Sequence, residues 1–209
     1  MTTFSILGAG SMASAIAAVA LKGGATLQVL ARDPQNSAAA VSALGSGATS
    51  ARFGDALTGD VVVLALPYGA VADVVSQYAT QLDGKVVVDI TNPLDFATFD
   101  DLAVAAVTSA AQQVAALVPG ARVLKAFNTN FAATLATGKV GGATTTVLVA
   151  GDDADAKATL IGVVEAAGLG AVDAGSLKRA QQLEGLGFLQ LTLAVGEKIA
   201  WTGGFSLAR

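Results

Sequence analysis

An apolar strand that runs directly into a glycine-rich turn constrains this chain more than any other feature. Phe4-Ser-Ile-Leu7 leads into Gly8-Ala-Gly-Ser-Met-Ala13, and an apolar stretch of helical character follows, Ser14–Leu21. In a G-x-G-x-x-A turn the first glycine makes the tight bend, the second lets a pyrophosphate approach, and the alanine lets the helix pack on the sheet. The helix N-terminus favours an anion. The sequence therefore predicts a dinucleotide site that contains Gly8, Ala9, Gly10, Ser11 and Met12.

The end of the second predicted strand, Thr26–Ala31, indicates which dinucleotide binds. An NAD-dependent enzyme usually has a carboxylate at this place for the ribose 2′-hydroxyl, whereas this chain reads Ala31-Arg32-Asp33. Arg32 could pair with a 2′-phosphate and stack on adenine, or it could be a solvated surface charge. Asp33 could turn toward the ribose or cap the next helix. The pattern favours NADPH over NADH.

Two missing residue types exclude much catalytic chemistry. The 209 residues contain no cysteine and no histidine, which excludes disulfides, thiolate nucleophiles, His-based triads and histidine-ligated metals. We therefore expect no metal site. The net charge is −4 and 13% of the residues are charged, so we expect no basic face for nucleic acid. Chemistry carried by a bound cofactor, which the protein orients, fits this inventory.

The apolar segments of the chain do not predict a leader or a membrane span. The N-terminal apolar run lacks basic residues and is broken by the glycine turn, and Leu183–Trp201 contains charged residues and glycines. We expect a cytoplasmic protein that acts on a small molecule and does not contact a membrane. The apolar C-terminal helix and the low charge favour a homodimer.

Strands alternate with helices along the whole chain. The predicted strands are 4–7, 26–31, 48–53, 60–66, 85–90, 122–126, 144–150 and 171–173. The predicted helices are 14–21, 35–44, 71–81, one from Ser109 to before Pro119, 152–167 capped by Asp152 or Asp153, and 178–201. This order predicts an α/β fold, a doubly wound parallel (Rossmann) sheet over residues 1–142. Residues 143–209 are expected to form a small C-terminal α/β lobe that packs on it, on the substrate side, with the dimer contacts.

Ligands in such sheets bind outside the carboxyl ends of the strands. Leu66 and Pro67 follow one predicted strand, and Asn92 and Pro93 follow the next. The prolines could wall a nicotinamide or only end strands, and Asn92 and Asn128 could bind a carboxamide or a substrate carbonyl or only form turns. Tyr68 and Phe131 could stack on a flat substrate or belong to the core.

Two side chains near these strand ends are weak candidates for proton transfer, Lys125 and Tyr68. Lys125 could also anchor an anionic substrate, or its charge could leave the strand end for solvent. Asp89 lies inside an apolar strand and therefore needs a hydrogen-bond partner. We expect a loop backbone to supply it and the residue to be structural.

These segments together resemble the NADPH-dependent coenzyme F420 reductases, also called F420-dependent NADP oxidoreductases. Their order matches over Gly8–Ala13, Ala31–Asp33, Leu66-Pro67, Asp89–Leu94 and Lys125–Thr129, and the C-terminal Asp173–Arg179 and Leu183–Leu189 look similar. The resemblance implies hydride transfer between NADP(H) and an 8-hydroxy-5-deazaflavin, coenzyme F420. It implies a nicotinamide pocket that includes Pro67, Asn92 and Pro93, and we expect Leu66 to join them in the cofactor site. It also implies a substrate surface with Phe127, Asn128 and the segment around Gly203 and Gly204, to which Tyr68 and Phe131 add by their position near the strand ends.

The chain departs from this family at two places. The family often has Ser at the position of Ala31 and Lys at that of Asn36, so the preference for NADPH could be weaker here.

The sequence leaves two other functions open. One alternative is an NADPH-dependent reductase of another small acceptor: an imine, a carbonyl, a flavin or a ferric chelate. The fingerprint also resembles pyrroline-carboxylate reductase, and related domains serve ferric reductases that carry a membrane haem domain. The other alternative is a non-enzymatic NADPH-binding sensor.

Overall fold

The apolar segments form the strands of one mixed sheet. In the computed structural model, which describes residues 1–207, the strands are β1 (Thr3–Leu7), β2 (Thr26–Ala31), β3 (Ala48–Arg52), β4 (Val61–Leu64), β5 (Val86–Asp89), β6 (Arg122–Lys125), β7 (Lys139–Val140), β8 (Ala143–Thr144), β9 (Thr146–Gly151) and β10 (Gly170–Gly175). Eight of them form a sheet in the order β10-β9-β6-β5-β4-β1-β2-β3, and β7 pairs with β8 as a separate ribbon.

Helices cover both faces of this sheet. They are α1 (Ser11–Lys22), α2 (Pro34–Leu44), α3 (Tyr68–Leu82), α4 (Ala110–Leu117), α5 (Ala132–Thr137), α6 (Ala154–Ala166) and α7 (Ala180–Val195), with a short 3-10 turn at Leu177–Arg179. One core cluster joins the sheet to α1, α2, α5 and α6, and a second joins its other face to α3 and α4. The alternation of strands and helices confirms the predicted doubly wound α/β fold.

The central strands are apolar at every position because both of their faces are buried. In β4, Val61 and Val63 point into the first core cluster, while Val62 and Leu64 point into the second. All four side chains are at most 1% exposed. A continuous apolar run, rather than an alternating one, is what such a position in the sheet requires.

The sheet is parallel except at one pairing. β9 lies antiparallel to β6, and β10 then pairs with β9 in parallel. Within residues 1–142 the strands of the main sheet, β1 to β6, all pair in parallel, as predicted. β9 and β10 both come from the segment after residue 142, which thus continues the sheet. The predicted division at that residue, with substrate and dimer contacts beyond it, stays a prediction.

The helix boundaries follow the capping side chains. Asp153 accepts a hydrogen bond from the N–H of Ala156 and caps α6, and Ser109 accepts one from the N–H of Gln112 and caps α4, as predicted. The prediction that the last helix reaches Trp201 is wrong, because α7 ends at Val195. Within residues 1–207, no helix is long and apolar enough to cross a membrane.

Candidate functional site

The chain reverses its direction of travel across the sheet between β1 and β4, which lie side by side at the topological switch point. Gly8 ends β1 there with a φ of +128°, and a Cβ at this position would collide with the carbonyl oxygen of Ala65 after β4. Its N–H donates to the carbonyl of Leu30 at 2.8 Å. Only glycine tolerates both the backbone angle and the contact, so the first glycine of the motif closes the turn as predicted.

The N-terminus of α1 faces this crossing point without a side-chain cap. Gly10 is the N-cap residue in extended conformation, and it has no side chain that could cap the first turn. A Cβ at Gly10 would meet no atom within 4 Å, so the glycine keeps open space beside the first helical N–H groups. Those groups have no partner within a helix, and the helix dipole adds to their attraction for an anion. This cradle fits a diphosphate.

A cavity of 890 Å³, here called the Arg32 cavity, extends from this turn over the end of β2. Arg32, Asn36 and Asp33 line it together with Gly8, Ala9 and Gly10. The Asp33 carboxylate accepts a hydrogen bond from the N–H of Gln35 at 2.9 Å and caps α2. Of the two possibilities for Asp33, the structure shows the helix cap, which leaves the exposed Arg32 guanidinium as the cation of the cavity.

A second cavity of 670 Å³, the aromatic cavity, continues from the first. The two share Gly10, Ala65, Leu66 and Pro67, so they are halves of one cleft along the carboxyl ends of the strands. Five aromatic residues line the aromatic cavity: Tyr68, Phe96, Phe99, Phe131 and Trp201. None of its lining residues in the described part of the chain carries a charge. This half of the cleft suits a flat, uncharged ring system.

Two pairs of contacting aromatic rings bring distant parts of the chain to this cavity. The ring centroids of Phe131 and Trp201 are 4.9 Å apart, which folds the segment after α7 back over the cleft. Phe96 and Phe99 lie edge to face at 5.9 Å on the loop after β5. Leu191 and Val195, in the last turns of α7, complete the apolar wall.

Two asparagine side chains link the ends of β5 and β6 to α7. The Nδ2 of Asn92 donates to the carbonyl of Asn128 at 2.8 Å. The Nδ2 of Asn128 donates to Oδ1 of Asn92 at 2.9 Å and to the carbonyl of Leu183 at 2.7 Å. A Cβ at Gly187 would collide with Asn92 Oδ1, so the absence of a side chain there lets α7 approach the pair.

Three buried oxygens at the aromatic cavity accept no hydrogen bond from the described residues. They are Thr91 Oγ1, Asn128 Oδ1 and Asn130 Oδ1. All three residues line the cavity and are 4–6% exposed. Buried polar atoms are nearly always paired, so these three oxygens are exceptions among the described residues.

A buried ion cluster lies behind this wall. The Nζ of Lys125 is 2.7 Å from Oδ2 of Asp89 and 2.8 Å from Oε1 of Glu184, and it also donates to the carbonyl of Thr91 at 2.5 Å. The other Asp89 oxygen accepts from the N–H of Thr91 at 3.0 Å, which confirms the predicted loop-backbone partner. Asp89 and Lys125 therefore fix both backbone polar groups of Thr91. The expectation that Lys125 points to solvent is wrong, since it is fully buried.

Burial raises the pKa of Glu184, although the nearby Lys125 ammonium opposes this effect. Its Oε2 accepts from the N–H of Ala110 at 3.0 Å, at the N-terminus of α4. Loss of hydration of the buried carboxylate outweighs this attraction and sets the direction of the pKa shift, and the nearby Asp89 carboxylate adds a smaller effect in the same direction. Neither Lys125 nor Glu184 is among the described residues that line the two halves of the cleft, so Lys125 is not placed for proton transfer there.

The structure brings most of the predicted site residues into the cleft. Those in the Arg32 cavity alone are Gly8, Ala9 and Arg32, those in both halves are Gly10, Leu66 and Pro67, and those in the aromatic cavity alone are Ser11, Met12, Tyr68, Asn92, Asn128 and Phe131. The Tyr68 hydroxyl donates to Oε1 of Gln113 at 2.6 Å.

Besides Lys125, four predicted residues lie outside the cleft. Phe127 has a φ of +62° and its ring is 1% exposed in the first core cluster, so it does not face a substrate. Pro93 is buried beside Asn92 without lining either half. Gly203 and Gly204 also do not line it, because their segment docks on α7, where the N–H of Phe205 donates to Oε1 of Gln190 at 3.0 Å.

Sequence reasoning missed five polar or aromatic residues of the aromatic cavity. Thr91 and Asn130 lie in the two strand-end loops from which Asn92 and Asn128 were chosen, so the strand-end rule was sufficient to find them. Phe96, Phe99 and Trp201 reach the cavity through irregular segments, for which no periodic pattern gives a signal.

Comparison with known proteins points to one family. Residues 3–93 match the family model described as NADP oxidoreductase, coenzyme F420-dependent. An F420-dependent NADP reductase from Methanocaldococcus jannaschii is 30% identical over 149 residues, 69% of this chain and 66% of that protein. The metalloreductase STEAP3 from Rattus norvegicus is 29% identical over 181 residues, 87% of this chain and 35% of that protein. The chain thus spans about a third of one curated relative and about two thirds of the other.

Solved structures agree with this match. A protein from Arthrobacter sp. FB24, provisionally assigned as an F420-dependent NADP reductase, superposes with a TM-score of 0.87 at 26% identity, and 100% of both chains is covered. An imine reductase from Streptomyces aurantiacus superposes with a TM-score of 0.64 at 18% identity, over 93% of this chain and 63% of that one. At this low identity, the match to the imine reductase shows only that the two proteins share a fold.

Proposed function

We propose that this chain, which belongs to the family of F420-dependent NADP oxidoreductases, transfers a hydride between NADP(H) and a deazaflavin such as coenzyme F420. The observation that carries the proposal is the two-part cleft. Its halves differ in chemistry, one with a cation and an open helix N-terminus and the other uncharged and aromatic. They meet at Gly10, Leu66 and Pro67.

The Arg32 cavity would hold the phosphorylated part of NADPH. The open space beside Gly10 and the uncapped first turn of α1 fit the pyrophosphate. Arg32 would pair with the 2′-phosphate, while one oxygen of the neighbouring Asp33 carboxylate caps α2. Bound NADPH supplies the hydride from C4 of its nicotinamide. Ser11, Met12, Leu66 and Pro67 would then place that ring where the two halves of the cleft join.

The aromatic cavity would hold the hydride acceptor against the nicotinamide. Phe131, Trp201 and Tyr68 offer flat surfaces for a fused ring system. Reduction of a deazaflavin at C5 needs two stacked rings, and the accompanying proton can come from water. Orientation therefore accounts for most of the rate, which agrees with a cavity that contains no charged acid or base among its described lining residues.

A reductase of a small imine or carbonyl is the second candidate function. Such a reaction usually needs a proton donor next to the substrate, and the Tyr68 hydroxyl is the lining group that could serve. Its hydrogen bond to Gln113 would orient that hydroxyl. An NADPH-binding sensor without turnover remains the alternative outside enzymes.

The test is NADPH-dependent reduction of coenzyme F420, followed by the loss of its visible absorbance, with NADH in parallel. We expect turnover that is faster with NADPH than with NADH. A panel of cyclic imines, ketones, free flavin and ferric chelates tests the second candidate through NADPH oxidation. Tight NADPH binding without oxidation by any acceptor would contradict the enzymatic function and favour the sensor.

We also propose that the protein is a homodimer. Leu189 of α7 is 50% exposed, on the helix that carries part of the aromatic wall. Light scattering at micromolar concentration should give twice the monomer mass. A monomer mass over the whole concentration range would contradict the proposal.

A further inference from the structure

We infer that Gln190 is a positioning residue for the aromatic cavity, because it fastens the segment after α7 where Trp201 forms part of the cavity wall. Gln190 itself lines neither half of the cleft among the described residues. The inference rests on the proposed function in one respect: the aromatic cavity must be the half of the cleft that holds the hydride acceptor. It adds the residue that keeps this half complete.

The side-chain amide of Gln190 is buried and joins two other segments to α7. Its Nε2 donates to the carbonyl of Thr129 at 3.2 Å, and its Oε1 accepts from the N–H of Phe205 at 3.0 Å. The residue is 2% exposed. Rotating the amide by half a turn would place nitrogen against the N–H and oxygen against the carbonyl, so the two bonds fix its orientation.

Each of the three joined segments contributes to the aromatic cavity. The loop after β6, α7 and the segment after α7 supply lining residues, which are Asn128, Asn130, Leu191, Val195 and Trp201. Thr129, which accepts from the Gln190 amide, belongs to the loop after β6. A single side chain therefore holds three parts of the cavity wall together.

The segment after α7 depends on Gln190 for its attachment. Among the described residues, only one hydrogen bond joins residues 200–207 to the rest of the fold, the bond from the N–H of Phe205 to Gln190. Trp201 is 51% exposed, and its ring centroid lies 4.9 Å from that of Phe131. The ring contact and the Gln190 amide together keep Trp201 at the cavity.

Gly204 allows this segment to approach Gln190. Its φ is +140°, and a Cβ there would lie 2.7 Å from Oε1 of Gln190. A side chain would strain the backbone and push the segment away from the amide that binds the neighbouring Phe205. Because Gly204 lines neither half of the cleft, we assign it to this contact and not to a substrate.

Trp201 is the one tryptophan of the chain, so its emission reports on this attachment without any ligand. In Gln190→Met, which makes neither bond, we expect emission at a longer wavelength and stronger quenching by acrylamide. Gly204→Ala should have the same effect from the other side of the contact. The matched controls are Gln182→Met at an exposed position of α7 and Gly162→Ala at an exposed position of α6, where an added Cβ meets no atom within 4 Å. Both controls should match the wild type.

The consequence for the site is measured as the affinity for coenzyme F420, titrated without NADPH. We expect Gln190→Met to bind it at least about 3-fold more weakly, which is the range of a lost contact between aromatic rings. Affinity for 2′,5′-ADP, which probes the Arg32 cavity, should change by less than about 2-fold. In a Trp201→Ala background, Gln190→Met should add less than about 2-fold to the loss of F420 affinity, because it acts through that ring.

Wild-type Trp201 emission in either folded variant would overturn the inference, and so would equal losses of affinity for F420 and 2′,5′-ADP. If Gln190→Met does not fold, Gly204→Ala provides the same test, because none of residues 200–207 belongs to either core cluster. Since the emission is measured without ligand, absence of F420 binding or reduction by the wild type counts against the proposed function and not against this inference.

Discussion

At the scale of single residues, the charges that the cleft offers to a ligand depend on the hydrogen bonds that its side chains already make within the chain. Arg32 and Asp33 are adjacent charges of opposite sign, and from sequence alone either could have met the ribose. In the structure, Oδ1 of Asp33 accepts the N–H of Gln35 at the start of α2. We therefore propose Arg32 as the charge that a 2′-phosphate would meet.

Replacement of Arg32 by alanine should weaken NADPH binding about 10- to 100-fold, because a hydrogen bond between charged groups contributes about 1.5–3 kcal/mol. NADH, which lacks the phosphate, should lose less than about 3-fold. Fluorescence titration of both dinucleotides measures this. Lys178→Ala removes an exposed positive charge elsewhere and controls for the change in net charge. An equal loss for NADPH and NADH would contradict the assignment of Arg32.

The two glycines of the motif should respond differently to the same substitution. Gly8→Ala places a Cβ against the Ala65 carbonyl at a φ of +128° and should lower the free energy of unfolding by at least about 2 kcal/mol. Gly10→Ala meets open space and should change stability by no more than about 1 kcal/mol. It should nevertheless weaken NADPH binding more than about 10-fold, because the methyl group occupies the phosphate cradle.

Thermal unfolding with and without NADPH distinguishes these effects. We expect a lower melting temperature for Gly8→Ala without ligand. For Gly10→Ala we expect a near-normal one that NADPH no longer raises. A Gly10→Ala protein that binds NADPH as tightly as the wild type would show that the pyrophosphate lies elsewhere.

At the scale of elements, α7 connects the buried ion cluster to the cleft. Glu184 on this helix pairs with Lys125 of β6 and accepts from the N-terminus of α4, while Leu191 and Val195 farther along line the aromatic cavity. Sequence reasoning placed the helix but not its partners. Asp89, Lys125 and Glu184 are far apart in the chain, and no local pattern indicates that three charges share one buried site.

The raised pKa of Glu184 predicts a particular dependence of stability on pH. A carboxyl group with a raised pKa in the folded state contributes stability below its ordinary value of 4.5, and this contribution is lost as the pH rises through the raised value. The wild type should therefore lose unfolding free energy relative to Glu184→Gln as the pH increases from 4.5. Urea unfolding at a series of pH values measures the difference.

The control for this experiment is Glu165→Gln, which removes a carboxyl group from an exposed position of α6. Parallel stability curves for the wild type and Glu184→Gln would contradict the direction given for the pKa of Glu184. A gap that widens in favour of the glutamine variant with rising pH would support it.

The C-terminal end of α7 shows why some helix boundaries could not be predicted from the sequence. The helix closes with hydrogen bonds from the N–H of Lys198 to the carbonyl of Leu193 and from the N–H of Glu197 to that of Ala194. This is the bonding of a Schellman motif, whose left-handed position usually holds glycine. Here Glu197 occupies that position with a φ of +55°, and the glycine, Gly196, stands one residue earlier. Because the glycine was not at the expected position, the helix was predicted to continue.

At the scale of the whole molecule, the alternating pattern was enough to predict the sheet and the edge at which the cleft lies. Val61–Leu64 and Val86–Asp89 are buried on both faces, as their unbroken apolar runs predicted. The antiparallel entry of β9 and the return of Trp201 to Phe131 depend on long-range packing. Phe127 was misplaced because its left-handed backbone, which nothing in the sequence marks, turns the ring into the core.

The central claim is that one continuous cleft holds both reactants so that a hydride passes directly between them. The most direct measurement uses NADPH with deuterium at C4, prepared as each of the two stereoisomers, with coenzyme F420 as acceptor. We predict that one isomer alone transfers its deuterium to C5 of the reduced deazaflavin, as seen by mass spectrometry and NMR. Reduced deazaflavin without deuterium from either isomer, or equal transfer from both, would contradict the claim that the cleft fixes two rings face to face.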